Sequence, residues 1–253
     1  CNQVRTLEVV IVGAGFAGMY MLHRLRELGV STRVYETGSG VGGTWYWNRY
    51  PGARCDVESM QYSYQFSDEL QQEWEWPEKY SPQADILNYA KHVADRFDLR
   101  RDIQFNTRIV SAIFNEKTKK WNIQTDDGEQ IQANFCVMAT GCLSSTNRPK
   151  FKGLDVFKGK TYHTGQWPHE TVDFDGMKVG VIGTGSSAIQ SIPMFASQAD
   201  QLYVFQRTPN YTIPARNASL DPEEVKLIKA DYSNLRARAK TKPVGLDLPI
   251  PTR

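Results

Sequence analysis

The chain lacks most of what would tie it to a membrane, a polyanion or a metal. No apolar run approaches the ~20 residues that cross a bilayer, and the N-terminus reads as carrying no charged-then-apolar leader. Histidine is scarce, with four in 253 residues. Cysteine is equally scarce: Cys1, Cys55, Cys136 and Cys142 show no CxxC spacing and stand near no histidine cluster. This pattern argues against both a zinc site and a disulfide framework. Neither sign of charge dominates, since 30 Lys and Arg face 28 Asp and Glu along the whole chain. That balance gives a nucleic acid nothing to follow. We expect a soluble, cytoplasmic protein with no membrane, nucleic-acid or metal partner.

What is present is 40% hydrophobic residues in a length that can bury one large core or two smaller ones. Two domains are the expectation. The chain opens on Cys1, and its close from Pro243 to Arg253 alternates proline with apolar residues. Both ends read as cut.

Leu7 to Val12 is a short, β-branched run of the kind found in strands buried on both faces of a parallel sheet. Gly13-Ala14-Gly15-Phe16-Ala17-Gly18 follows at once. A helix is predicted from Phe16 to Leu28, with Met19, Leu22, Leu25 and Leu28 inward and Gly29 as its stop. Ser31 to Glu36 then supplies a second strand that ends on an acid. In this βαβ setting the three glycines have separate tasks: Gly13 for the tight turn, Gly15 for close approach to a pyrophosphate, and Gly18 for helix–strand packing. The phosphates would meet the helix N-terminus, and Glu36 would accept from ribose hydroxyls while repelling a phosphate.

Met177 to Ile182 and Gly183-Thr184-Gly185-Ser186-Ser187-Ala188 repeat the pattern, with alanine as the small packing residue. Gln201 to Gln206 is the following strand. Gln206 stands at the same offset from Gly183 as Glu36 from Gly13. Where the first unit has a carboxylate, the second therefore has a neutral amide followed by Arg207 and Thr208. A guanidinium offers a planar fork matched to phosphate oxygens. The first turn is thus expected to take FAD and the second NADP.

Between the turns, the segment from Gly42 to Asp56 is dense in glycine, aromatic rings and proline, and reads as a loop. Its residues Gly43, Trp45, Tyr50, Pro51, Gly52 and Asp56 spell GxWxxxxYPGxxxD. Further on, Phe157, Gly159, His163, Trp167 and Pro168 spell FxGxxxHxxxWP. On these two motifs the chain resembles the type I Baeyer–Villiger monooxygenases of the flavin-containing monooxygenase superfamily, specifically their N-terminal portion. The Ala139-Thr140-Gly141 run resembles the strand end that closes the FAD fold in two-dinucleotide flavoproteins.

The resemblance implies an α/β, two-dinucleotide-binding-domain flavoprotein, with a Rossmann-like FAD domain and an inserted NADP domain. Residues 1–150 are expected to form an FAD-binding domain completed by a later return of the chain. Residues 151–176 would be a linker, and 177–253 the first part of an NADP-binding domain. FAD contacts fall to Gly13, Gly15, Phe16, Gly18, Glu36, Gly43, Thr44, Trp45 and Asp56, and NADP contacts to Gly183, Gly185, Ser186, Ser187, Arg207 and Thr208. Asp56 would lie by the isoalloxazine and position a catalytic arginine expected beyond Arg253, although an acid there could also cap a helix that follows it. His163 would act in an interdomain hinge in preference to proton transfer.

Elsewhere, a helix is predicted over Pro82 to Phe97, with Ile86, Ala90, Val93 and Phe97 on one face. Strands are predicted at 103–105, 108–114, 120–125, 130–133 and 135–139, with Asp126-Asp127-Gly128 as a hairpin turn. A last helix is predicted from the Asp221-Pro222-Glu223-Glu224 start to Ala239. The activity implied by the resemblance is NADPH- and O2-dependent insertion of oxygen beside a ketone carbonyl. An N- or S-oxygenating flavin monooxygenase and a nucleotide-binding fragment without turnover stay open. A disulfide reductase is disfavoured, because no cysteine pair follows Gly42-Gly43.

Overall fold

The computed structural model describes residues 4–243 and 245–247, so 248–253 of the proline-containing close lie outside the described residues. In chain order the elements are β1 (Arg5–Val12), α1 (Phe16–Glu27), β2 (Thr32–Tyr35), α2 (Thr44–Trp47), α3 (Asp68–Glu73) and α4 (Gln83–Arg96). They continue as β3 (Ile103–Gln104), β4 (Ile109–Asn115), β5 (Lys120–Thr125), β6 (Gln130–Met138), β7 (Lys178–Ile182), α5 (Ser186–Ala196), β8 (Gln201–Phe205), α6 (Pro222–Ala230) and α7 (Tyr232–Lys240). Two compact units result: Cys1–Tyr50 with Ile86–Val172, and Pro51–Asp85 with Asp173–Arg253. Among the described residues no helix is long and apolar enough to cross a membrane.

The first unit is built on a six-stranded sheet of order β3-β2-β1-β6-β5-β4. Strand β1 lies parallel to both β2 and β6, and its Val9, Val10 and Ile11 are buried, as a central strand covered on both faces requires. Val12 is level with Tyr35 of β2 and Met138 of β6. The residues that follow, Gly13, Glu36 and Ala139, therefore leave the sheet together at its carboxyl edge, where open α/β sheets hold their ligands. Residues 130–133 and 135–139, expected as two strands, are one strand, β6. Its first part pairs with β5 on one side while β1 accompanies it on the other as far as Met138, so no break is needed at Asn134. The turn at Gly128 joins β5 to β6, and β4, paired with β5, completes an antiparallel meander.

Helix α1 buries Met19 and Leu22 against the sheet and stops at Gly29, whose φ of 69° is the left-handed conformation of a helix end. Leu28, expected inward, is 72% exposed, because the chain has left the helical path by that residue. Helix α4 supplies Ala90 and Ala94 to the same core, with Phe97 packed at its margin.

The second unit has a parallel pair, β7 and β8, connected through α5. Two isolated bridges stand elsewhere in the same unit: Arg54 pairs with Pro82, and Glu78 with Ser219. The helix expected to run unbroken to Ala239 is two helices, α6 and α7, parted at Asp231. The Asp231 carboxylate accepts from Asn234 and Arg238, the local side-chain bonding by which aspartate competes with helix continuation. Arg236 of α7 is buried over the Tyr232 ring and donates to the carbonyls of Met60 and Gln61 and to the side chains of Ser63 and Gln71. One guanidinium thereby joins α7, α3 and the 60–63 stretch.

Candidate functional site

Each nucleotide-type turn begins where a parallel strand ends, β1 with buried residues at its centre and β7 half-exposed along its length. Gly13 has φ 102° and its amide donates to the Tyr35 carbonyl at 2.8 Å; Gly183 has φ 100° and donates to the Phe205 carbonyl at 2.9 Å. Gly15 (φ −77°) and Gly185 (φ −73°) occupy the N-cap positions of α1 and α5, and neither helix has a side-chain cap. By contrast, α3 receives Ser67 Oγ and α6 receives Asp221 Oδ1 on their first-turn amides. A helix start with no side-chain cap can accept an anion from outside.

The surroundings of the first turn are tight. A Cβ on Gly13 would lie 2.6 Å from the Ala139 carbonyl oxygen, and one on Gly18 would overlap the Gly13 carbonyl. The Ala139-Thr140-Gly141 strand end is thus the floor of the turn. Gly43, at the start of α2, approaches so closely that a Cβ there would stand 2.8 Å from Gly15 Cα, and the Gly42 amide donates to the Ala14 carbonyl. The corner can take an extended diphosphate only because these positions are glycine, and the residues present fit such a group.

Glu36, directly after β2, is 5% exposed. One carboxylate oxygen accepts the Ala14 amide at 2.7 Å and the other accepts the Gly38 amide at 2.7 Å. The acid therefore shapes its own loop and leaves further lone pairs for a diol. Tyr46 lies across Gly38 and Gly40, its hydroxyl bonded to the Ser39 amide and hydroxyl, and its carbonyl receives Arg49. Trp45 is buried. The expected aromatic loop thus contains the short helix α2, which packs the Glu36 loop in place.

The second turn repeats the backbone without the enclosure. Among the described residues, leaving aside each glycine's own chain neighbours and helix backbone, nothing stands within 4 Å of a Cβ on Gly183 or Gly185. Gln206 donates to Thr184 Oγ1 at 3.1 Å, Asn210 donates to the same oxygen at 3.2 Å, and Thr184 Oγ1 donates to the Thr208 carbonyl at 3.4 Å. Arg207 and Thr208 are exposed beside them, and Ser186 and Ser187 open α5. This arrangement can present a guanidinium and hydroxyls to a phosphate, and the residues fit one.

Other predicted site residues divide between the units. His163 lies in the first, where its Nδ1 accepts the Gly165 amide at 3.1 Å and caps the turn Thr164–Gln166. Nearby, Phe157 lies over Gly159, and buried Trp167 packs on Tyr162 at 5.3 Å between ring centres. Asp56 lies in the second unit, exposed, and no helix follows it before α3, which removes helix capping as its role. Cys55 beside it is buried, and burial pushes its thiol up. Its neighbour Arg54 donates to Glu78 Oε2 and the Tyr80 carbonyl, both at 2.9 Å. Hydrogen bonding by Asn217, and then by Arg54, holds the Glu78 carboxyl below its usual range. Sequence reasoning missed Arg54, Gln190 and Arg236. The first was masked as a variable position between Gly52 and Asp56, and the other two lie on amphipathic helices where nothing marks a polar residue as bonded. Among the described residues no group of His, Cys, Asp or Glu could hold a metal ion.

The sequence model of the family described as pyridine nucleotide-disulphide oxidoreductase matches residues 10–241. A Baeyer-Villiger monooxygenase of Pseudooceanicola batsensis (strain ATCC BAA-863 / DSM 15984 / KCTC 12145 / HTCC2597) is 47% identical over 239 residues, covering 94% of this chain and 44% of the relative. Phenazine N-monooxygenase PhzNO1 of Lysobacter antibioticus is 43% identical over 92% of this chain and 42% of its own length. Among solved structures, an oxidized steroid monooxygenase bound to NADP superposes with a TM-score of 0.93 at 55% identity, covering 98% of this chain and 47% of that one. The chain thus spans less than half the length of the relatives it matches.

Proposed function

The chain belongs to the pyridine nucleotide-disulphide oxidoreductase family, with Baeyer–Villiger monooxygenases among its relatives, and from that premise we propose that the whole protein is an FAD-containing, NADPH- and O2-dependent Baeyer–Villiger monooxygenase. It converts a ketone, O2, NADPH and a proton to an ester or lactone, NADP+ and water. One observation carries the reading: two turns of the same backbone differ at the matched offset, buried Glu36 in one and exposed Gln206-Arg207 in the other. The family description names disulphide chemistry, but the described cysteines Cys55, Cys136 and Cys142 are all free.

FAD at the first turn supplies the redox and oxygen-activating chemistry, and NADP at the second supplies the hydride. The chain's own residues bind and orient. Gly13, Gly15 and Gly18, with Phe16 at the helix start, receive the diphosphate of FAD, while Gly43, Thr44 and Trp45 line the same corner. Glu36 accepts from the ribose. Gly183, Gly185, Ser186 and Ser187 receive the diphosphate of NADP, and Arg207 with Thr208 takes the 2′-phosphate. Asp56 orients a guanidinium by a charge-assisted pair. His163, its Nδ1 already accepting the Gly165 amide, works as a hinge cap and not as a proton carrier. The reading places the protein in the cytoplasm.

A second reading, N-oxygenation, is favoured by the phenazine N-monooxygenase among the relatives. Incubating the protein with NADPH and either a cyclic ketone or a tertiary amine decides between the two. Lactone formation with NADPH consumption is expected; oxidation of the amine alone overturns the ketone reading.

A further inference from the structure

The segment Pro51–Gly52–Ala53–Arg54 is gripped by helix α5. The Ala53 carbonyl accepts the Gln83 amide at 2.8 Å and the Cys55 amide donates to the Ser81 carbonyl at 3.1 Å, the two bonds of an antiparallel bridge centred on Arg54 and Pro82. In such a bridge the backbone groups of the central residue point the other way, as on any edge strand. There they meet a side chain in place of a strand. The Arg54 amide donates to Gln190 Oε1 at 3.3 Å, and Gln190 Nε2 donates to the Arg54 carbonyl at 3.0 Å. The primary amide of Gln190 thus serves as a one-residue strand.

Close packing holds the same place. Gly52 has φ 83°, and a Cβ there would overlap the Gln190 carbonyl oxygen and lie 3.0 Å from both the Gln190 carbonyl carbon and Met194 Cγ. Glycine is required twice over at this position, by the left-handed backbone and by the approach of a helix. The second glycine of the GxWxxxxYPGxxxD motif is therefore a docking point on α5.

Gln190 stands one turn beyond Ser186, where α5 begins. We propose that Gln190 is a positioning residue: it couples the place of α5, and so the filling of the turn at its start, to the Arg54–Cys55–Asp56 stretch. A bound nucleotide that orders the first turn of α5 then also steadies the stretch that carries Asp56, so that this loop is held more firmly when the reductant is in place. The coupling rests on reading that turn as the NADP site; the clasp itself does not.

Amide hydrogen exchange on the whole protein tests both parts. Gln190→Met keeps the side-chain volume and removes both hydrogen bonds. Without nucleotide, exchange at the Arg54 amide should rise about five- to tenfold in the variant, as for loss of one ordinary hydrogen bond. Unchanged exchange overturns the clasp, whatever the turn binds. With saturating NADP+, the parent should gain protection over both 183–187 and 52–57, and the variant over 183–187 alone. Nucleotide-induced protection of 52–57 that survives in Gln190→Met overturns the coupling. A parent in which NADP+ protects neither segment overturns the coupling and the nucleotide reading together, leaving the nucleotide-free result to judge the clasp. Gln190→Glu, which keeps the acceptor but loses the donor, should fall between the two.

Discussion

The two turns of this chain have nearly the same backbone and very different neighbours. Gly13 and Gly183 differ by 2° in φ, and both lead into helices without side-chain caps. Around the first, the Ala139 carbonyl, the Gly43 backbone and both oxygens of Glu36 close in; around the second, none of the described residues beyond the chain neighbours comes within 4 Å of a Cβ on either Gly183 or Gly185. A sequence motif of this type therefore specifies a local conformation. The enclosure comes from residues far along the chain, and it decides how much change the turn tolerates.

The largest expected contrast is steric. Gly18→Ala drives a methyl group into the Gly13 carbonyl and should destabilise the fold by ~3 kcal/mol. Gly183→Ala, which meets only the cost of a positive φ, should lose ~1–2 kcal/mol. Urea midpoints of the two variants measure the difference, and equal losses would break the comparison.

Next in size is the offset residue. Glu36→Ala strands the Ala14 and Gly38 amides in a buried place, at about 2 kcal/mol, whereas Gln206→Ala at an exposed position should stay within ~0.5 kcal/mol. The same unfolding assay applies, and a costly Gln206→Ala would show that the second turn is more enclosed than it looks.

Smallest is the contrast in pH response. Burial first, and then the Glu129 charge, pushes the Tyr35 hydroxyl of the first unit up to about 12. A group raised in the folded state contributes stability that is present below its ordinary value near 10 and is lost as the pH rises towards 12. Glu78 of the second unit is lowered, so its contribution is present above its ordinary value of 4.5 and is lost as the pH falls through the depressed one. Tyr35→Phe should flatten the alkaline limb of a stability–pH curve and Asn217→Ala the acid limb. Exchanged effects would contradict the assignments.

These contrasts also show what was legible in the sequence. The βαβ units, the hairpin at Gly128, helix α4 and the matched offset of Glu36 and Gln206 were readable, because periodicity and turn chemistry are local. Leu28 was misjudged because a helix ends by geometry and not by pattern. The break at Asp231 was missed because an aspartate's competing hydrogen bonds depend on which residue lies three positions on. The clasp of Gln190 on Arg54 spans 136 residues of chain. No local signal could reveal it, and Gly52 was its only trace. The burial of Glu36 was likewise invisible, since it follows from β1, β2 and β6 ending level.

The central claim is that matched turns are given opposite ligand preference by the residues at one offset. Dissociation constants of NADP+ and NAD+ for the parent and for Arg207→Ala test it most directly. The parent should prefer NADP+ by about thirtyfold or more, in line with a charge-assisted phosphate pair of ~2 kcal/mol or above, and Arg207→Ala should bring the ratio close to one by weakening NADP+ alone. A ratio that stays unchanged in Arg207→Ala would contradict the account.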